Sequence, residues 1–178
     1  GEVLKANALI LATGHSARDI YEMLHRQGVE LESKGFAMGV RVEHPQSLIN
    51  NIQYHAKNIS EYLPAASYAL VEQVNGRGVY SFCMCPGGHI VPAGTNEESI
   101  VVNGMSASRR NSPYANSGIV VEIHPEDIPE EFQQYGVLAG LKFQQHVENL
   151  AYLNNGGKGF TAPAQRLDDF VRGKLSSD

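Results

Sequence analysis

Apolar and polar positions follow three different rhythms along this chain, and each rhythm predicts a different element. From Ala8 to Ala12 the run Ala-Leu-Ile-Leu-Ala is continuously apolar, the pattern of a short strand buried on both faces, as in parallel sheets. Thr13-Gly14-His15 supplies a turn, and Ser16 reads as a helix N-cap with Asp19 three residues on as the other half of a short-armed capping box. Ile20, Met23 and Leu24 then recur at helical spacing, and Gly28 reads as the residue that ends the helix. A β-α unit is therefore expected over residues 8–28. The lead-in before Ala8 is short enough that the strand reads as a cut edge, with part of a parent protein expected ahead of it.

Beyond Leu31 the rhythm changes to two. Phe36 to Glu43 contains an alternating stretch that His44-Pro45 should stop, and a short helix with Pro45 in its first turn is expected over 45–52. After a polar connection from Lys57 to Ala66, strands are predicted over 68–74 and 79–84. Asn75-Gly76 lies between them and readily adopts the positive φ angles of a tight hairpin turn. Pro86-Gly87-Gly88 is another turn, and short strands follow over 89–92 and 99–103. The small, polar stretch Gly104 to Ser117 reads as a connection to a strand over 119–123. An acidic turn at 125–129 precedes a helical stripe of Leu138, Leu141, Val147, Leu150 and Ala151, which stops at Asn154-Asn155-Gly156-Gly157. A short amphipathic turn near 167–171 sits in an extended exit segment. The expected fold class is α/β (α+β): a β-α edge, then a mixed, largely antiparallel sheet with a long C-terminal helix.

Composition narrows the partners. With 178 residues and 42% hydrophobic content, the chain can hold one well-packed domain or one and a fraction. A net charge of -5, with Arg109-Arg110 as the only paired basic residues, argues against nucleic acid. No apolar run approaches the roughly 20 residues of a membrane span, and no signal segment opens the chain. Two cysteines are too few for a secreted disulfide scaffold, so a cytoplasmic protein acting on a small molecule is expected.

The segment Leu9-Ile10-Leu11-Ala12-Thr13-Gly14 has the small residues at a strand end that a dinucleotide packs against. It is equally compatible with a strand and turn that touch no ligand. Further blocks follow in order: Ala12-Thr13-Gly14-His15-Ser16-Ala17-Arg18-Asp19, Gly39-Val40-Arg41-Val42-Glu43-His44-Pro45 and Phe82-Cys83-Met84-Cys85-Pro86-Gly87-Gly88. Val102-Asn103-Gly104-Met105-Ser106 with Arg109 to Asn116, and Thr161-Ala162-Pro163-Ala164-Gln165-Arg166, complete the set. Over about residues 8–170 the chain resembles the FAD-dependent (NAD(FAD)-utilizing) dehydrogenases of the glutathione-reductase-like flavoprotein superfamily. The resemblance implies a flavin domain split by an inserted substrate-type domain. Residues 1–34 would be the tail of the flavin domain, 35–160 the insertion and 161–178 the exit back toward the flavin domain. It also implies FAD in the whole protein, NAD(P)H as a candidate electron donor, and Ala12, Thr13 and Gly14, flanked by His15 and Ser16, lining the cofactor. The family's N-terminal Gly-x-Gly-x-x-Gly, whose amides hold a pyrophosphate, is absent here, as is its C-terminal closing stretch. The chain alone is thus expected to bind no cofactor and to be inactive, as a fragment of an oxidoreductase. The competing reading is a non-catalytic binding or interaction domain on a flavoprotein scaffold.

Other constellations leave alternatives open. Cys83 and Cys85, two apart on a predicted strand, should share a face. They read as a redox or flavin-side thiol pair next to Gly87 and Gly88, where backbone could approach a planar ring, or as two small buried residues. As metal ligands with His89 they would number three, where structural zinc takes four, so no metal site is assigned. The loop from Ser106 to Asn116 offers Arg109, Arg110, Asn111, Tyr114 and Asn116 to a carboxylate or phosphate, or simply satisfies its own backbone. Gly156-Gly157-Lys158-Gly159 lacks the Walker spacing and reads as a helix end. None of His15, His44, His55, His124 and His146 has a triad-like neighbour.

Overall fold

A computed structural model describes residues 3–56, 60, 62–94 and 96–176. Helix α1 (Arg18–Arg26) comes first, followed by strand β1 (Phe36–Pro45), helix α2 (Gln46–Tyr54), and strands β2 (Val71–Val74) and β3 (Arg77–Cys85). Strands β4 (Gly88–Ala93), β5 (Val101–Ser106) and β6 (Tyr114–Ile123) complete the β structure. Helices α3 (Glu130–Gln133), α4 (Ala139–Asn154) and α5 (Leu167–Val171) close the chain.

The strands form a four-stranded sheet in the order β1-β6-β3-β2 and a separate β4-β5 hairpin, and every pairing among the described residues is antiparallel. The β2-β3 turn is the one the sequence announces: Asn75 and Gly76 have φ of 52° and 78°, the mirror-image turn that matches strand twist. Pairing of β1 with β6 runs unbroken from Phe36↔Ile123 to Pro45↔Tyr114. Alternation therefore puts Arg41, Glu43, Asn116 and Gly118 on one face, and Val42, His44, Ala115 and Ser117 on the other. Ile49, Ala66 and Ala115 bury together with Tyr54, Tyr68 and Met84 around them. Ile128, Phe132 and Ala139 form a second cluster with Phe36, Ile123 and Phe143, which brings α3 and α4 to the sheet.

Several expectations change. Residues 8–12 are not a strand: no partner strand lies beside them, and Leu9 and Ile10 are 85% and 90% exposed. An apolar run becomes a strand only when neighbours take its backbone hydrogen bonds and cover both faces. Neither happens here. Helix α1 starts one residue later than the Ser16 cap implies; Ala17 is its N-cap and no side chain caps it. Its C-terminus is as expected, because the Gly28 and Val29 amides return to the His25 and Leu24 carbonyls, a Schellman arrangement with Gly28 at φ 73°. Pro45 ends β1 and caps α2 rather than entering it. Strand β2 begins at Val71, three residues after the expected start. The presumed connection 104–117 is mostly strand, since β5 runs to Ser106 and β6 starts at Tyr114. Small and polar residues are tolerated there because hairpin and sheet bury each other. Part of the expected 57–66 connection (57–59 and 61) lies outside the described residues.

Candidate functional site

Two regions carry candidate chemistry. The first is the turn ahead of α1, where Ala12, Thr13, Gly14, His15 and Ser16 are all exposed, and Gly14, at φ 81°, has open space where a Cβ would stand. Among the described residues nothing walls this turn off. Behind it, Arg18 grips Glu148 of α4 with two hydrogen bonds of 2.6 and 2.8 Å, which raises the guanidinium pKa. A polar cleft of about 230 Å³ opens beside this pair, lined by Arg18, Asn96, Glu98, Ser99, Gln145 and Asn149.

The second region is the sheet face under the β4-β5 hairpin. Phe82 pairs with Gly118 but Cys85 pairs with Asn116, so β3 carries one extra residue between them, a β-bulge. Cys83 takes the strain, with φ 46°. The bulge breaks the alternation on which a shared face for Cys83 and Cys85 depended. Cys83 is exposed and Cys85 partly buried, so the picture of two buried thiols does not hold for Cys83. The bulge turns the Cys83 carbonyl into an acceptor for Arg41: Nη1 and Nη2 donate to it at 3.2 and 3.1 Å, and the Cys85 thiol donates to it at 3.4 Å. Arg41 Nη1 also donates to Asn116 Oδ1 at 2.6 Å. Asn116 is wholly buried, and its Nδ2 has no acceptor among the described residues. Gly104 of β5 lies on this group: a Cβ there would collide with Arg41 Nη1 and Asn116 Oδ1 and stand 2.7 Å from Cys85 Sγ. Glu43, on the same face, accepts the Ile90 N–H at 3.2 Å and so ties the hairpin down.

The other sequence candidates are scattered by the fold. Arg109, Arg110 and Asn111 are exposed on the loop between β5 and β6, and Tyr114 is half-exposed at the start of β6 with its ring 6.0 Å from that of His89. Asn116 is separated from them, buried beneath the hairpin. Gly87 and Gly88 are buried; a Cβ on Gly87 would overlap the Arg110 backbone, and one on Gly88 would come within 2.5 Å of the Met105 carbonyl oxygen. The close approach that demands glycine at these positions is made by the chain itself. On the opposite face, burial pushes the His44 imidazole below its usual pKa, partly offset by Glu43, and its ring lies 5.5 Å from that of Tyr68. Burial likewise raises Tyr68, with Ser117 and Arg41 pulling the other way. Among the described residues no three His, Cys, Asp or Glu converge as metal ligands, and no helix is long and apolar enough to cross a membrane.

Arg41 was not among the site residues expected from sequence. Its signal was an arginine inside an otherwise apolar alternating strand, which alone does not distinguish a solvated side chain from an anchored one.

Comparison with known proteins bears on these two regions. Residues 35–178 match the model of a family described as FAD-dependent protein, C-terminal domain-like, and the match begins one residue before β1. A protein of Clostridium beijerinckii, described only as uncharacterized, is 46% identical over 99% of the chain, and the chain spans 33% of that relative. The match covers most of the chain, including the sheet, the hairpin and the Arg41 group: the chain belongs to the FAD-dependent protein, C-terminal domain-like family.

Proposed function

We propose that this chain is part of a cytoplasmic FAD-dependent oxidoreductase of the glutathione-reductase-like superfamily. In this reading residues 1–34 complete the flavin domain, 35–160 form the substrate-type domain and 161–178 lead back. Ala12, Thr13, Gly14, His15 and Ser16 lie against the flavin. The exposed loop residues Arg109, Arg110, Asn111 and Tyr114 contact substrate, and a nicotinamide dinucleotide serves as electron donor. The flavin supplies the redox chemistry when bound; the chain's own residues position ligands and exclude water.

The observation that carries this reading is the exposure of Leu9, Ile10 and Leu11 immediately before an open Thr13-Gly14 turn. Such a run is stable only when covered, and about 25 cal/mol per Å² of apolar surface favours covering it. The family match and the one-third share of the longer relative both support a covering domain.

The test is purification of the full-length protein, followed by cofactor extraction and identification. Visible flavin bands are expected, with FAD released on denaturation. Thr13→Trp should lower flavin occupancy severalfold there, yet leave the circular dichroism of the 178-residue chain unchanged, because Thr13 is exposed and no other described residue covers the turn. A colourless full-length protein with no extractable flavin would sink the proposal. A flavin that NADH and NADPH fail to reduce would remove the nicotinamide donor. A flavin that dithionite alone reduces, with no acceptor turnover, would favour the non-catalytic scaffold.

A further inference from the structure

The Arg41 guanidinium is held at one end and unspent at the other. Nη1 and Nη2 share the Cys83 carbonyl along the end edge, and the outer Nη1–H goes to Asn116 Oδ1. Nη1 is the nitrogen on the Cδ side, so these bonds leave the Nε–H and the outer Nη2–H, which point side by side. Among the described residues neither has a protein acceptor, and no carboxylate lies within ion-pair distance of Arg41. Glu43, the carboxylate on the same face, is engaged with the Ile90 amide instead. Both acceptors that orient Arg41 are neutral. Its charge is therefore uncompensated while its position is fixed, by a strained bulge at Cys83 and by an Asn116 whose amide orientation the Arg41 bond determines.

A parallel pair of N–H donors on a planar cation matches the two oxygens of a carboxylate or of a phosphate. We infer that the Nε/Nη2 edge of Arg41 is an oxyanion subsite, taking the carboxylate or phosphate end of a small molecule bound beside the β4-β5 hairpin. The inference rests on the reading of residues 35–160, which carry this sheet, as the substrate-type domain. It differs from the loop pair Arg109-Arg110, whose side chains are exposed and form no hydrogen bond or ion pair with another described residue. Exposed arginines of that kind attract anions without orienting them.

The test is isothermal titration of the 178-residue chain with succinate and, separately, with inorganic phosphate, at ionic strength held constant with sodium chloride. Saturable one-site binding is expected for at least one of them, and the anion that saturates says which class of ligand end the subsite takes. Binding should weaken about tenfold or more in Arg41→Met, and also in Arg41→Lys, which keeps the charge but loses the two-pronged edge. The double variant Arg109→Ser, Arg110→Ser tests the loop pair as the rival anion site. A readout that needs no variant is the Arg41 Nε–H resonance in nitrogen-15 spectra, expected to shift with the same midpoint as the heat. Absence of saturation with both anions, wild-type binding by Arg41→Met, or loss confined to the Arg109/Arg110 variant would each overturn the inference. The titration uses no flavin, so its failure leaves the cofactor result standing, and a flavin-free full-length protein leaves the titration standing.

Discussion

Gly104 shows how one residue can be required by what lies across from it. Its φ is ordinary, but Arg41, Asn116 and Cys85 occupy the volume of a side chain there. Gly104→Ala must push the β4-β5 hairpin off the sheet or displace the Arg41–Asn116 bond, and we expect a loss of about 1–3 kcal/mol, the usual cost of overpacking. Denaturant unfolding checks this, and an unchanged midpoint would show that the hairpin yields freely. Asp127 is the clearest titrating residue. Its two carboxylate oxygens accept from Arg77 and it also takes the His124 amide, which together hold its pKa at about 2. A carboxyl depressed in the folded state contributes stability above its unfolded pKa, near 3.8, and loses it as the pH falls through about 2. Between pH 4 and pH 2 the wild type should therefore lose stability that Asp127→Asn, already lacking the charge, has no means of losing. Thermal melts across that window would show it as converging curves.

Among the elements, α1 is held to the rest of the chain by polar ties. It has no buried residue, and its polar ties to α4 are Arg18–Glu148 and Lys142–Glu22, the latter at 2.5 Å and lowering the Glu22 pKa. The more exposed of the two, Lys142–Glu22, contributes about 0–1 kcal/mol. Replacing both partners on α4, as Lys142→Met with Glu148→Gln, should raise amide exchange throughout residues 18–28 and leave β3 and β6 protected. Uniform loss of protection would mean that α1 belongs to the core. The second half of the chain is packed conventionally: Phe132 is buried at the junction of α3, α4 and the sheet, its ring 5.5 Å from that of Phe143. Phe132→Ala should cost about 3–5 kcal/mol, read from the same unfolding curves. Helix ends were legible in sequence where glycine made them, since the backbone hydrogen bonds at Gly28 and at Gly156-Gly157 need only local chain geometry. The start of α1 was not: Ala17 takes the cap position with no side chain capping it, and Ser16 stands one residue before it, its carbonyl accepting the Arg18 amide.

At the scale of the molecule, the chain exposes 13225 Å², whereas a compact monomer of 19.4 kDa would expose about 8,500 Å². Among the described residues seven hydrophobic ones are buried outright, while Leu9, Ile10, Val71, Val171 and Leu175 are each more than three-quarters exposed. Limited proteolysis should therefore cut the isolated chain within residues 3–16 and spare those bonds in the full-length protein. Equal cutting in both would mean that no other domain covers the segment. What the sequence determined by itself was everything governed by short-range geometry: the Asn75-Gly76 hairpin, the strand that stops at Pro45, the helix that stops at Gly156, and the family blocks read in order. It also made residues 8–12 strand-like, but their fate was not theirs to decide, because a strand is a relation between segments and the described chain supplies no partner. The Arg41 group was decided by tertiary structure alone. Residues 41, 83, 104 and 116 come from four different strands, and only pairing, bulge and hairpin docking bring a carbonyl, an amide and a guanidinium to the same place.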